Sequence, residues 1–117
     1  MTTINYANIV APVGRNFFAG TPAGVTQIVS PSVNTSGVII RTAYMVDANL
    51  YADVAPPSGT GDPTKRVVFN ANPGVLQGLP YPLFVPPGLG VWYAAGAGSG
   101  INITWDLVNA DFSADMS

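Results

Sequence analysis

Eleven prolines and thirteen glycines are scattered through this chain of 117 residues, and no stretch between them supports an amphipathic helix of useful length. Proline fixes φ and removes an amide donor, and glycine loosens the backbone, so both interrupt helices and confine strands to short runs. What survives between the breaks alternates. Ile101, Ile103, Trp105 and Leu107 are interleaved with Asn102, Thr104 and Asp106, which is the period-two pattern of a strand with one buried face.

This strand closes the stretch from Leu83 to Val108, around which the rest of the chain is organised. Pro86-Pro87-Gly88-Leu89-Gly90 makes one turn within it, and the glycine loop from Gly96 to Gly100 is expected to reverse the chain again. Upstream, Val38 to Asp47 is the longest β-prone segment. Strict alternation would place Val38, Ile40, Thr42, Tyr44 and Val46 on one face and Ile39, Arg41, Ala43, Met45 and Asp47 on the other. Both faces are largely apolar, so a central strand covered on both sides is expected. Turns are predicted at Gly20 to Gly24, Asn34 to Gly37, Asp47-Ala48-Asn49 and Asn72-Pro73-Gly74, and Ala55 to Pro63 reads as an exposed, mobile loop. The pattern predicts an all-β domain, a two-sheet β-sandwich of jelly-roll type with about eight short strands, with an immunoglobulin-like sandwich as the alternative. Residues 1–24 read as an extended N-terminal arm, 25–108 as the sandwich and 109–117 as an acidic C-terminal tail.

Composition excludes more than it assigns. The chain has no cysteine, no histidine and no glutamate. Thiolate and imidazole ligands are therefore missing, as are the usual general base and the base of a nucleophilic triad. No catalytic residue, metal or cofactor is expected, and the chain is read as not an enzyme. Four basic residues, Arg15, Arg41, Lys65 and Arg66, with a net charge of −2, do not make the positive stripe that nucleic acid requires. No apolar run approaches the roughly 18 residues of a membrane span, and Met1 to Tyr6 has no basic region ahead of a continuous apolar one. Synthesis in a cytoplasm is the expectation. Only 9% of residues are charged and 48% are hydrophobic, where a typical domain carries about 25% charge. Such a surface must be coated by small polar residues or by neighbouring subunits, and neighbours are expected here.

The aspartates are the only acidic side chains. Asp47, Asp53 and Asp62 fall in turns and loops without the spacing of a calcium loop. A glycosidase would need two carboxylates flanking the bond; Asp106 alternates outward on the last strand and Asp53 is the companion weighed for it, but nothing in the sequence brings them together. The aromatic residues carry more. Trp92 and Tyr93 sit on opposite faces of one strand, so one is expected in the core and the other against solvent, the second sheet's edge or a partner. Trp105, in phase with its isoleucines, reads as core. Phe17-Phe18 is a short apolar anchor. Phe17, Phe18, Trp92 and Tyr93 are taken as the partner interface, because buried aromatic rings supply most of the energy of protein contacts. Asn34-Thr35-Ser36 and Asn102-Ile103-Thr104 match the glycosylation sequon and are read as coincidental. Lys65-Arg66 reads as a solvated strand edge.

The order of these features resembles a known family. A polar Asn-Thr-Ser-Gly turn precedes a long Val/Ile strand at Asn34 to Ile40, and a proline-glycine turn with an aromatic strand follows at Val85 to Tyr93. A Gly/Ala loop and a closing strand then run from Ala94 to Trp105. Over residues 25 to 108 this is similar to the small jelly-roll proteins of tailed-bacteriophage virions, among them capsid decoration proteins and head-fibre modules. The resemblance implies a non-enzymatic structural virion protein, a homotrimer bound to the particle surface through contacts with the major capsid protein or neighbouring subunits. The alternative is a fibre or tail module recognising a host glycan or receptor with the loops at Pro56 to Thr64 and Tyr81 to Trp92.

Overall fold

The computed structural model describes residues 13–109, apart from the side chains of residues 73, 75, 97 and 98. The first twelve residues of the expected arm and residues 110–117 of the expected tail lie outside the described residues. Six strands follow in order: β1 (Asn16–Gly20), β2 (Gly24–Val29), β3 (Val38–Asp53), β4 (Val67–Gly78), β5 (Leu83–Val85) and β6 (Gly90–Leu107). The described chain is all-β, and every strand joins one antiparallel sheet. β3 and β6 run side by side through its middle. β1 and β2 flank the C-terminal and N-terminal parts of β6, while β5 and β4 flank the two parts of β3.

The sheet has to curl, and the connections show why. Val85 pairs with Val38 at one end of β3, and Gly90 pairs with Asp53 at the other. The five steps from Val85 to Gly90 reach at most about 18 Å, whereas a straight strand from Val38 to Asp53 would span about 50 Å. The two ends of β3 must therefore come together. Asn34 fastens the closure from the facing turn. Its buried side-chain amide donates to the carbonyls of Pro86 (2.7 Å) and Leu89 (2.8 Å), and its Oδ1 accepts the Gly37 amide at 2.7 Å. Its own carbonyl accepts the Gly88 amide at 2.9 Å. The first sequon asparagine is thus consumed in joining two turns.

The fold line is visible in the register. Between Val46 and Ala48, Asp47 alone stands opposite residues 96–99 of β6 and residues 72–75 of β4. The break between β1 and β2 falls at the same level, since Gly20 pairs with Ile101 and Gly24 with Ala95. Asp47 has a φ of 49°, in the left-handed region that aspartate tolerates better than most residues. This seam divides the sheet into a first half, built on residues 38–46 of β3, and a second half, built on residues 48–53.

Three of the predicted turns and the glycine loop, at Gly20 to Gly24, Asp47 to Asn49, Asn72 to Gly74 and Gly96 to Gly100, all lie on this seam, and none reverses the chain. Each strand resumes beside the same neighbour in the same direction. Extra residues loop out, which bends and twists a strand without ending it. Six strands, two of them very long, therefore stand where about eight short ones were expected.

The same irregularities reset the faces of β3. Val38 and Ile40, then Ala43 and Met45, then Ala48, Leu50 and Ala52 point inward. One-residue shifts at Arg41 and Asp47 move the inward set off strict alternation, because each slip of one residue exchanges the faces. Inside the curl these residues meet Val29, Val85, Val91, Tyr93, Ala95, Ile101 and Ile103, with Phe18, Trp105 and Leu107 packed against them. Phe18 points in and Phe17 out, so residues 16–20 belong to the sheet rather than to a free arm.

Candidate interaction face

The outward faces of the two halves differ. In the second half, Tyr51, Trp92 and Ala94 form a small buried cluster on the side away from the main core. The connection of residues 54–66 returns over it. The Tyr51 hydroxyl accepts the amides of Gly61 (2.8 Å) and Asp62 (3.1 Å), and Pro57 of the same connection is buried. Asp62 shapes this segment from within, accepting the Thr64 hydroxyl (2.7 Å), the Thr64 amide (2.9 Å) and the Ser58 amide (2.9 Å). Those bonds, the Thr64 hydroxyl first, hold its carboxyl well below the usual carboxylate range. Asp53 closes the base of the segment through the amides of Val54 (2.8 Å) and Arg66 (3.0 Å), and its pKa is lowered for the same reason. The loop expected to be free is pinned at three points.

In the first half no described segment returns in this way. The outward residues of adjacent strands line up in rows: Phe17, Thr104 and Thr42; then Ala19, Asn102, Tyr44 and Gly78; then Gly100, Val46 and Leu76. Phe84 and Ile39 continue the face toward the end of the sheet. Phe17 is 76% exposed, Leu76 67% and Tyr44 53%. The Tyr44 ring lies over Gly78, where an added Cβ would come within 2.9 Å of it. None of the residues in these rows carries a charge. A sheet face that is both open and apolar is a surface awaiting cover.

At one margin the chain crosses this face. Gly14 donates its amide to Thr104 Oγ1 (3.0 Å), which is also hydrogen-bonded to Thr42 Oγ1 (2.7 Å). Arg15 donates its amide to Asp106 Oδ1 (2.8 Å), and Arg41 Nε donates to Asp106 Oδ2 (2.9 Å). Both charged side chains of that ion pair are buried. A Cβ on Gly14 would run into the Trp105 backbone, so this crossing requires glycine. Beside it Val13, Gly14, Phe17, Phe18, Ala19, Asn102, Ile103 and Thr104 line a shallow groove of about 240 Å³.

The structure separates the four residues read as an interface. Phe17 stands open on the first half, and Phe18 turns inward beside it. Trp92, 3% exposed, is enclosed on the outer face of the second half, and Tyr93 lies in the core. The Tyr93 hydroxyl is buried with no hydrogen-bond partner among the described residues, and burial, followed by the Asp47 charge, pushes its pKa up. Tyr93 is the core member of the pair and Trp92 lies on the opposite face, where the connection of residues 54–66 covers it in place of solvent.

Asp53 is engaged by the amides of Val54 and Arg66, and Asp106 by the Arg15 amide and Arg41 Nε, so each carboxylate is held by its own partners. Among the described residues no group of three or more acidic, histidine or cysteine side chains could hold a metal ion. Sequence reasoning missed Tyr44 and Leu76. Their exposure follows from the shift at Arg41, the looped-out residues 72–75 and the missing cover, none of which alternation shows. What the described residues define is an all-β fold in which the outer rows of the first half carry no charge and no described segment lies across their middle. No protein-family model, curated protein or solved structure matches this chain.

Proposed function

We propose that this protein is a non-enzymatic structural component of a virion, of the capsid-decoration kind, which binds the particle surface and its own copies, as a trimer, through the outer face of the first half. The observation that carries the reading is the uncharged row structure of Phe17, Tyr44, Val46 and Leu76 on a chain with very little charge. Burying such a face strands no unpaired charge, and aromatic and aliphatic anchors supply the binding energy. The curl supports the jelly-roll part of the reading. A sheet that bends at a line of bulges is how corner strands pass between the layers of a sandwich.

Light scattering on the full chain across a dilution series is the test. At the concentrated end the expected mass is that of three chains, falling to one for Phe17→Asp or Leu76→Asp with unchanged circular dichroism. A single-chain mass at every concentration, or variants that assemble like the parent, would overturn the reading. Host-glycan recognition, the second reading, keeps one observation in its favour: Tyr81 is 69% exposed between Pro80 and Pro82. Saturable binding on a glycan array, lost in Tyr81→Ala, would establish it.

A further inference from the structure

We infer that the two open edges of the second half, β2 and residues 67–71 of β4, pair with each other between copies of this chain, so that the sheet of one copy runs on into the next. The inference adds a surface distinct from the first-half face and rests on the proposed function only for the number of copies.

Charge is distributed against the usual rule for sheets. An edge strand offers unpaired amides and carbonyls, and native proteins guard it with charged side chains, proline, bulges or cover. Here every charged residue of the described strands, Arg41, Asp47, Asp53 and Asp106, stands on the two central ones, β3 and β6. The outer strands β1, β2, β4 and β5 carry none. Pro80 and Pro82 interrupt the margin between β4 and β5, but no proline lies within residues 24–29 or 67–71. Among the described residues β2 pairs only with β6, and residues 67–71 only with β3.

The two edges fit each other. Two rows cross the second half from edge to edge: Val25, Ala94, Asn49 and Asn70, then Gln27, Trp92, Tyr51 and Val67. β2 runs in the direction of β3 and β4 runs against it, so β2 of a second copy laid beside residues 67–71 at the same level makes an antiparallel ladder. Each edge has one bulge, at Ile28 and at Val68, and both fall next to the row of Tyr51. The extra twist that a bulge brings is therefore matched on the two sides. Val25 and Val67, both exposed, stand on opposite edges, and the ladder would cover them.

Because each chain carries both edges, the occupant is a second copy. A head-to-tail contact of this kind closes into a ring when the rotation allows, and a ring of three agrees with the proposed trimer. So short a ladder buries far less than a stable interface needs. It orients copies that the first-half face holds together, and Phe17→Asp still falls to one chain.

The absence of cysteine makes the test direct. Full chains carrying Gln27→Cys are mixed in equal amount with full chains carrying Val67→Cys and oxidised mildly at the concentrated end of the dilution series. Both positions are exposed, so neither change enters the core. The expected result is a disulfide between unlike chains, formed about tenfold faster than between like ones, because docked edges hold the unlike pair at high effective concentration. An excess of like-chain disulfides would mean that each edge meets its own kind, and would overturn the inference. Rates without preference would leave the edges to a different protein and overturn it as well. A three-chain mass without that preference removes this inference alone, whereas a single-chain mass with unlike cross-links removes only the trimer reading.

Discussion

Tyr44 and Tyr51 lie on the same side of the same strand, seven residues apart, and only one of them is buried. Tyr51 spends its hydroxyl on the amides of Gly61 and Asp62 under a fastened connection. Tyr44 lies flat over Gly78 with half its surface in the open. The same contrast holds on β6, where Trp92 is enclosed and Asn102 and Thr104 meet only a short crossing. A strand's outer face is therefore enclosed or open according to which connection returns over it. The residue type on the strand does not settle the matter, and in this molecule the two outcomes share one pair of strands.

The contrast breaks most severely where something enclosed is removed. Trp92→Ala empties the second half's outer cluster and should cost about 3–5 kcal/mol, read as a lower urea midpoint. Asp106→Ala should cost a similar 3–5 kcal/mol, because it leaves Arg41 buried without its partner and the Arg15 amide without its acceptor. Its distinctive mark would be faster hydrogen exchange at Arg15, absent from the tryptophan variant. Tyr51→Phe, which removes the acceptor that fastens residues 54–66, should cost about 1–3 kcal/mol and speed exchange at Gly61 and Asp62 while leaving the first half protected.

Acid should sharpen the contrast from the other side. The folded-state pKa values of Asp53 and Asp62 are depressed from 3.8, so these groups stabilise the fold above that value and their contribution is lost as pH falls through the folded values. Protection of residues 54–66 should therefore decline below about pH 4 before that of Ile101 to Trp105, and Asp62→Asn should flatten the response. Equal acid sensitivity in both regions would count against this fastening. The smallest effect on stability belongs to Phe17→Ala, expected within about 0.5 kcal/mol of the parent while self-association falls. A large stability loss there would mean that Phe17 is already packed.

Much of the fold is legible in particular residues. The alternation from Ile101 to Leu107 holds, with both isoleucines buried and Trp105 and Leu107 packed on the core. The polar turn at Asn34 and the proline-glycine turn at Pro86 are both legible, but their union through one asparagine is not. The turn signals at Asp47, Asn72 and Gly96 are plain as well, yet they read as reversals and fold as bulges. The same residues serve either purpose, and which one forms depends on whether a neighbouring strand continues past them. Of the four candidate interface residues only Phe17 is largely exposed. Nothing in an alternating pattern says which outward aromatic will receive a second layer.

By itself the sequence determined that this chain is all-β, poor in charge and without histidine, cysteine or glutamate. Those properties follow from local backbone preference and from residue type, both of which act without reference to distant partners. Only the tertiary structure decided that four turn signals would align as one seam, that the ends of β3 would meet, and that one half would be covered and the other left open. Register and cover are set by contacts between residues far apart in the chain, so the local pattern leaves them undetermined until the sheet closes.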